Sequence, residues 1–112
     1  MKNYKYIVAD TDTIENVISK ILINNNRTVL VLKKKRVIGT ISEGDILRCL
    51  LMKKNLKSPA SKIMNKSYKY IFSKKNIKLA KIIFHKFQLN IIPVVNKKFE
   101  LLDVITLRDI LK

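Results

Sequence analysis

Two hydroxyl–carboxylate pairs are the residues of this chain whose types and spacing best suit chemistry. Ser42 precedes Asp45 by three positions, and Thr106 precedes Asp109 by the same spacing. A hydroxyl and an acid so spaced form an ordinary helix capping box. The same helix start offers free N–H groups to a phosphate, and a nearby carboxylate can accept hydrogen bonds from sugar hydroxyls. Capping and ligand binding therefore both stay open.

The other chemically versatile side chains predict neither a catalytic site nor a metal site. His85 stands beside Phe84 in a helical pattern, without cysteines or clustered carboxylates around it. Cys49, the one cysteine, follows Arg48 in an apolar helical segment, which favours a buried, inert thiol. A lone cysteine forms no internal disulfide and fits a reducing compartment, so we expect a cytoplasmic protein.

An internal repeat places the two hydroxyl–carboxylate pairs at equivalent positions. The tetrapeptide Tyr-Lys-Tyr-Ile occurs at residues 4–7 and 68–71, an offset of 64, and the two pairs are separated by the same 64 residues. Residues 29–31 align with 93–95 at that offset. The long helix of the second copy aligns at 63, which predicts one residue inserted before the strand that follows it.

Each copy has the order strand, helix, strand, strand, helix. In the first copy, apolar residues at helical spacing follow Asp12 and Glu15, which are spaced as a capping box. Residues 29–32 and 37–42 then predict a hairpin. The second copy repeats this order with strands at 91–95 and 99–106. The pattern predicts an α/β (α+β) fold of two tandem β-α-β-β-α repeats, at residues 1–57 and 58–112, in one compact module.

The charge balance is the most unusual feature of the composition. The chain carries 24 basic and 8 acidic residues, a formal net charge of +16. A basic surface attracts the phosphates of a nucleotide, a nucleic acid or a membrane without choosing among them, and codon bias in an AT-rich genome also enriches lysine. No apolar run approaches the roughly 20 residues of a membrane helix, and the N-terminus lacks a signal-peptide pattern. We expect no membrane partner.

The motifs taken together resemble the CBS domain family. The resemblance is carried by residues 39–45 (GTISEGD), 58–65 (SPASKIMN) and 90–95 (NIIPVV). The chain is identified as a tandem CBS pair, or Bateman module, similar to those attached to sugar-phosphate nucleotidyltransferases and sugar-phosphate isomerases. The resemblance implies two repeats packed with pseudo-two-fold symmetry and two equivalent clefts, for which adenosine nucleotides are the commonest ligands.

The resemblance also implies which residues bind the ligand. The hydroxyls and carboxylates of the two pairs would contact phosphate or ribose. Arg27 is a candidate phosphate ligand because guanidinium binds oxygens bidentately. The second copy has Asp103 at the position of Gly39, so we expect its cleft to be the weaker one. The predicted ligand-binding residues are Ser42, Asp45, Thr106, Asp109, Gly39, Thr40, Arg27, Ile91, Ile92 and Pro93, the last three lining an apolar slot for a base.

We therefore expect a regulatory module, not an enzyme, that senses AMP, ADP, ATP or another nucleotide, needs no other cofactor, and controls an attached or associated sugar-nucleotide enzyme. Exposed helix faces with Ile46, Leu50 and Phe87 predict a homodimer.

One alternative is a purely structural dimerisation module. The other is a basic nucleic-acid-binding protein using tyrosines beside lysines, which is less favoured because strand alternation would place those tyrosines on one buried face. Those tyrosines are Tyr4, Tyr6, Tyr68 and Tyr70.

Overall fold

The computed structural model describes residues 4–111. The first three residues of the predicted first repeat and the last residue of the second lie outside the described residues. The first repeat contains β1 (Ile7–Ala9), α1 (Ile14–Asn24), β2 (Thr28–Lys33), β3 (Arg36–Ser42) and α2 (Glu43–Leu51); the second contains α3 (Ile77–Phe87), β4 (Ile91–Val95), β5 (Leu101–Thr106) and α4 (Leu107–Leu111). The predicted mixed α+β fold is confirmed.

The strands form two small sheets. β1 pairs parallel to β2 and β2 pairs antiparallel to β3, whereas β4 and β5 form an antiparallel pair. In the second repeat a single bridge from Ile71 to Val94 takes the place of β1. The strand predicted over both Tyr-Lys-Tyr segments is wrong: Tyr4–Tyr6 form a 3-10 turn, and 68–70 are irregular. β1 begins only at Ile7, which pairs with Leu30 of β2.

Cross-strand partners fix how the repeats correspond. Thr28 pairs with Ser42 and Ile91 with Thr106, so β2 and β4 correspond at an offset of 63 while β3 and β5 correspond at 64. The inserted residue therefore lies in the second hairpin turn, and its predicted place before β4 is wrong. Because the turn is longer, β5 begins at Leu101 and not at residue 99 as predicted. Every residue of β4 is buried, so its sequence shows no alternation that could have fixed the register.

Two hydrogen bonds reveal the pseudo-two-fold axis. The Val37 N–H donates to the Phe99 carbonyl and the Leu101 N–H donates to the Lys35 carbonyl, both at 2.9 Å. An offset of 64 converts either bond into the other. Between them Arg36 bridges to Glu100, its own equivalent in the second repeat. The predicted pseudo-two-fold packing is therefore confirmed, with the axis between these two residues.

Buried apolar side chains form three clusters. The first fills repeat one and is completed by Leu56, Ala60, Ile63 and Met64 of the joining segment. The second fills repeat two around Ile92. The third lies between the repeats and consists of Tyr6, Leu30, Val37, Ile91, Val95 and Val104. Because neither repeat can form the third cluster alone, it holds the two together.

The helix starts differ in one respect from the prediction. Thr13 caps α1 by accepting from the Asn16 N–H at 3.2 Å, whereas the Asp12 carboxylate accepts from the Ala9 N–H at 2.8 Å. The predicted Asp12–Glu15 capping box is wrong because Asp12 closes the turn after β1. In repeat two, Asn76 caps α3 in the same way as Thr13.

The exposed helix faces also need one correction. Ile46 is buried in the first core, so its predicted place on a dimer face is wrong, while Leu50 and Phe87 are 47% and 40% exposed. Ile46 is on the inner side of α2 with Cys49. Within residues 4–111, no helix has the length and apolarity to cross a membrane.

Candidate functional site

Both hydroxyl–aspartate pairs cap the helix that follows their strand. Ser42 Oγ accepts from the Asp45 N–H at 3.3 Å, and Asp45 Oδ2 accepts from the Ser42 N–H at 2.8 Å. Thr106 Oγ1 accepts from the Asp109 N–H at 3.2 Å, and Asp109 Oδ2 accepts from the Thr106 N–H at 3.0 Å. The capping interpretation is confirmed at both places. It also fixes where each carboxylate lies relative to the clefts.

Two clefts lie between the repeats. The polar cleft, of about 640 Å³, is lined by Lys5, Tyr6, Asn24, Asn25, Asn26, Lys74, Asp103, Val104, Thr106, Arg108 and Asp109. The apolar cleft, of about 230 Å³, is lined by Thr28, Thr40, Asn65, Ser67, Tyr68, Lys69, Phe87, Leu89, Ile91 and Pro93. Val104 in the first corresponds to Thr40 in the second, and Asn24 corresponds to Phe87. The clefts are therefore pseudo-symmetric counterparts.

The structure brings only some of the predicted site residues together. Thr106 and Asp109 meet in the polar cleft, and Thr40, Ile91 and Pro93 meet in the apolar cleft. The other five predicted residues line neither.

Those five residues lie in different surroundings. Ser42 is half-buried and pairs with Thr28 at the edge of the apolar cleft. Asp45 lies in a separate depression, where it accepts a hydrogen bond from Arg48. The exposed Arg27 side chain points toward Glu43, 3.9 Å away. The remaining two, Gly39 and Ile92, are buried.

Charges of both signs line the polar cleft. Asp103 pairs with Lys74 at 3.1 Å between Oδ2 and Nζ, and Lys5 and Arg108 add two more cations. The negative charge of Asp103 alone would repel phosphate, which is a physical reason to expect the weaker cleft here. The ion pair reduces that repulsion, because Lys74 supplies an opposite charge at contact distance. Nothing in the sequence distinguished Lys74 from the other lysines.

A buried asparagine shapes the wall of the polar cleft. Asn24 is 3% exposed; its Nδ2 donates to the carbonyls of Lys5 and Thr28, and its Oδ1 accepts from the Asn26 N–H at 2.8 Å. Asn26 in turn donates to the Tyr6 hydroxyl at 3.1 Å. A fully bonded buried amide fixes the backbone around it. The run of three asparagines that begins at the last residue of α1 was the available sequence signal, and no site residue was predicted from it.

The apolar cleft has different chemistry. The Tyr68 hydroxyl donates to the Val37 carbonyl at 2.5 Å. Burial raises the pKa of Tyr68 above its ordinary value, Tyr70 raises it further, and Arg36 opposes them, so the phenol stays a neutral donor. Lys69 is the one charged side chain of the lining. These surroundings suit an uncharged ring rather than a phosphate.

Gly39 permits close packing against the joining segment. A Cβ atom added at Gly39 would lie 2.8 Å from both Cγ and Sδ of Met64. Gly39 does not have a positive φ. The close approach, rather than an unusual backbone conformation, therefore calls for glycine here.

We expect Gly39→Ala to lower the free energy of unfolding by about 1–3 kcal/mol, because Met64 must move to make room. Urea denaturation measures this. Gly44→Ala is the matched control: its Cβ would meet nothing closer than 3.6 Å, so a cost is not expected. In a Met64→Ala background the cost of Gly39→Ala should shrink. An undiminished cost would contradict the packing explanation.

Within residues 4–111, no group of three or more His, Cys, Asp and Glu side chains is arranged to hold a metal ion. Cys49 is a buried free thiol.

Comparison with known proteins identifies the repeats. The CBS domain family model matches residues 1–52 and 60–112. A CBS domain protein from Pyrobaculum aerophilum complexed with AMP is 26% identical, with a TM-score of 0.76, covering 92% of this chain and 80% of that one. CBS domains of a transcriptional regulator from Streptococcus pneumoniae are 22% identical, with a TM-score of 0.81, covering 97% and 89%. CBSX2 in complex with AMP is 15% identical, with a TM-score of 0.80, covering 94% and 83%. No curated protein matches the chain.

Proposed function

Because the chain belongs to the CBS domain family as a tandem pair of repeats, we propose that it is a regulatory module that binds a nucleotide between its repeats and catalyses no reaction. AMP is the first candidate, since the 26% identical relative was solved with AMP. ADP, ATP and other nucleotides are the further candidates. We also propose that the first repeat ends at residue 57 and that the second begins at residue 58.

The observation that supports this proposal most is the composition of the polar cleft. Its volume of about 640 Å³ lies within the roughly 300–1,000 Å³ of ligand pockets, whereas the apolar cleft is smaller. Arg108, Lys74 and Lys5 offer charge-assisted hydrogen bonds to phosphate oxygens. Asp109 can accept from ribose hydroxyls, with Thr106 beside it. We therefore assign the principal site to the polar cleft, in place of the first-repeat site favoured by the sequence.

The apolar cleft would be a secondary site. Ile91 and Pro93 offer apolar surface and Thr40 offers a hydroxyl to a base. Ser42, at the edge of this cleft, would then serve the phosphate and ribose end, with Arg27 near the rim. Asp45 lies in a separate depression, so it would act through the cap by which it holds Ser42. Gly39 and Ile92 would act through packing. The predicted residues would thus belong to two sites, of which the polar cleft binds the nucleotide more tightly.

We further propose a cytoplasmic homodimer that regulates an attached or associated sugar-nucleotide enzyme. Exposed Leu50 and Phe87 support the dimer contact. A purely structural dimerisation module is the alternative that a ligand screen separates from this proposal.

Thermal unfolding with AMP, ADP, ATP and other nucleotides tests the proposal. A ligand that binds only the folded state at about 100 times its Kd adds roughly 2.7 kcal/mol, which raises the Tm by about 10 °C in a domain of this size. Asp109→Ala should abolish the increase. The matched variant Asp45→Ala, which removes the equivalent cap, should retain most of it.

The outcomes separate the alternatives. Loss of the increase in Asp45→Ala but not in Asp109→Ala would move the principal site to the apolar cleft. Cooperative unfolding with no nucleotide-dependent increase would leave the structural module as the explanation.

A further inference from the structure

Folding brings the two hairpin turns of the chain side by side at the pseudo-two-fold axis. The first turn carries Lys33, Lys34, Lys35 and Arg36, and the second carries Lys97 and Lys98. We call these six residues the cationic ridge. All six are exposed, and every residue of the first turn is at least 61 residues away in sequence from every residue of the second. Only the tertiary structure makes them one surface.

Backbone contacts hold the two halves of the ridge together. Arg36 Nε donates to the Lys98 carbonyl at 3.1 Å. The two symmetric hydrogen bonds between Val37 and Phe99 and between Leu101 and Lys35 lie directly beside it. The ridge is therefore a fixed feature of the fold rather than a meeting of two mobile loops.

The positive charge of the ridge is not neutralised within the fold. Across residues 4–111, none of the salt bridges involves a ridge residue. The nearby carboxylate of Glu100 is half-buried and accepts from Asn96 Nδ2 at 2.9 Å. Like charges held within a Debye length of about 10 Å repel one another. A bound polyanion would relieve this repulsion.

The first turn carries lysines where its backbone favours other residues. Lys34 and Lys35 form a two-residue hairpin loop with φ of 49° and 70°. Positive φ at both positions defines a type I′ turn, for which Asn-Gly is strongly preferred. A codon bias toward lysine would add lysines over the whole surface alike. It does not single out two positions where a lysine strains the backbone.

We propose that the cationic ridge binds the phosphate backbone of a nucleic acid, independently of base sequence. Several exposed cations on one rigid edge match a linear polyanion, whose binding releases condensed counterions. Large exposed apolar side chains are not part of the ridge, so it lacks the groups that insert into a lipid surface. Ridge residues line neither cleft, so the proposal does not depend on nucleotide binding.

Fluorescence anisotropy with single-stranded RNA, single-stranded DNA and duplex DNA tests this at several salt concentrations. The ridge variant combines Lys34→Asn, Lys35→Gly, Lys97→Gln and Lys98→Gln. The control variant changes four exposed lysines elsewhere, Lys66, Lys75, Lys78 and Lys81, to Gln and has the same net charge. The ridge variant should bind at least about 10-fold more weakly, with a salt dependence reduced by roughly one unit of slope per lost phosphate contact. The control variant should bind nearly as the wild type does.

A stability measurement guards against a folding artefact. Lys34→Asn with Lys35→Gly should raise the Tm, because the turn strain is relieved, while nucleic-acid binding weakens. Equal weakening by ridge and control variants would overturn the proposal in favour of diffuse charge. Absence of binding at about 50 mM salt, or ridge-dependent binding to phosphatidylserine vesicles without nucleic-acid binding, would also overturn it. None of these three outcomes affects the nucleotide-induced Tm increase, so the nucleic-acid proposal and the nucleotide proposal fail separately.

Discussion

Replacing Ile92 with alanine is expected to lower the free energy of unfolding by about 2–5 kcal/mol. Its side chain is 0% exposed and packs in the second-repeat core with Ile71, Phe84 and Ile105. Truncation removes apolar contacts and leaves a cavity that the surrounding helix and strands fill only in part. Because a typical domain is stable by about 5–15 kcal/mol, this loss would be a large share of the total stability.

Urea denaturation of Ile92→Ala and of Ile82→Ala tests this expectation. Ile82 is 60% exposed on α3, so the same truncation there should change stability by no more than about 0.5 kcal/mol. Ile92→Val should cost about 0.5–1.5 kcal/mol. If Ile92→Ala kept full stability but lost nucleotide binding, the side chain would be a ligand contact, as the sequence suggested, and not a core residue.

The second large effect is expected at the cluster between the repeats. Leu30 is 0% exposed among Tyr6, Val37, Ile91 and Val95, and we expect Leu30→Ala to cost about 2–5 kcal/mol. The cavity would weaken the contact that joins the repeats. Amide hydrogens that cross the axis, at Val37 and Leu101, should exchange at least about 30-fold faster.

Hydrogen exchange followed residue by residue measures this effect, with Leu47→Ala as the matched control. Leu47 is 58% exposed on α2, so its truncation should leave exchange at both amides nearly unchanged. Faster exchange at Val37 alone, with Leu101 as slow as in the wild type, would show that the cluster does not couple the two repeats.

The helices and strands were predictable because their signals are local. Ile14, Val17 and Ile21 recur at helical spacing, and all three are buried in α1. A helix buries one stripe whatever partner it meets, so the spacing alone identifies it. The hydroxyl–aspartate pairs were found for the same reason, since a cap links residues only three positions apart.

The correspondence between the repeats was predicted one residue out of register over part of the chain. The Tyr-Lys-Tyr-Ile match at 64 suggested that Ile71 stands in the place of Ile7. The ladders instead place Ile71 opposite Val94 as Val8 is placed opposite Val31, an offset of 63. The identical tetrapeptides favoured an offset of 64, whereas the true offset of 63 does not align them. Only hydrogen-bond partners distinguish the two registers.

The candidate site depended still more on tertiary structure. Lys74 reaches Asp103 across 28 intervening residues, and Asn24 builds one wall of the polar cleft while Asp109 lies in the other. Such partners have no spacing rule, because they meet only when the repeats pack.

The sequence by itself determined the family, the tandem repeat, most helices and strands, and the two capped motifs, because each depends on interactions between near neighbours. The tertiary structure alone decided which cleft is larger and better supplied with cations, that Ile92 and Gly39 are buried, and that two lysine turns form one ridge. Those properties depend on which side chains from distant segments oppose one another across the pseudo-two-fold axis. Local sequence patterns do not encode such long-range pairs.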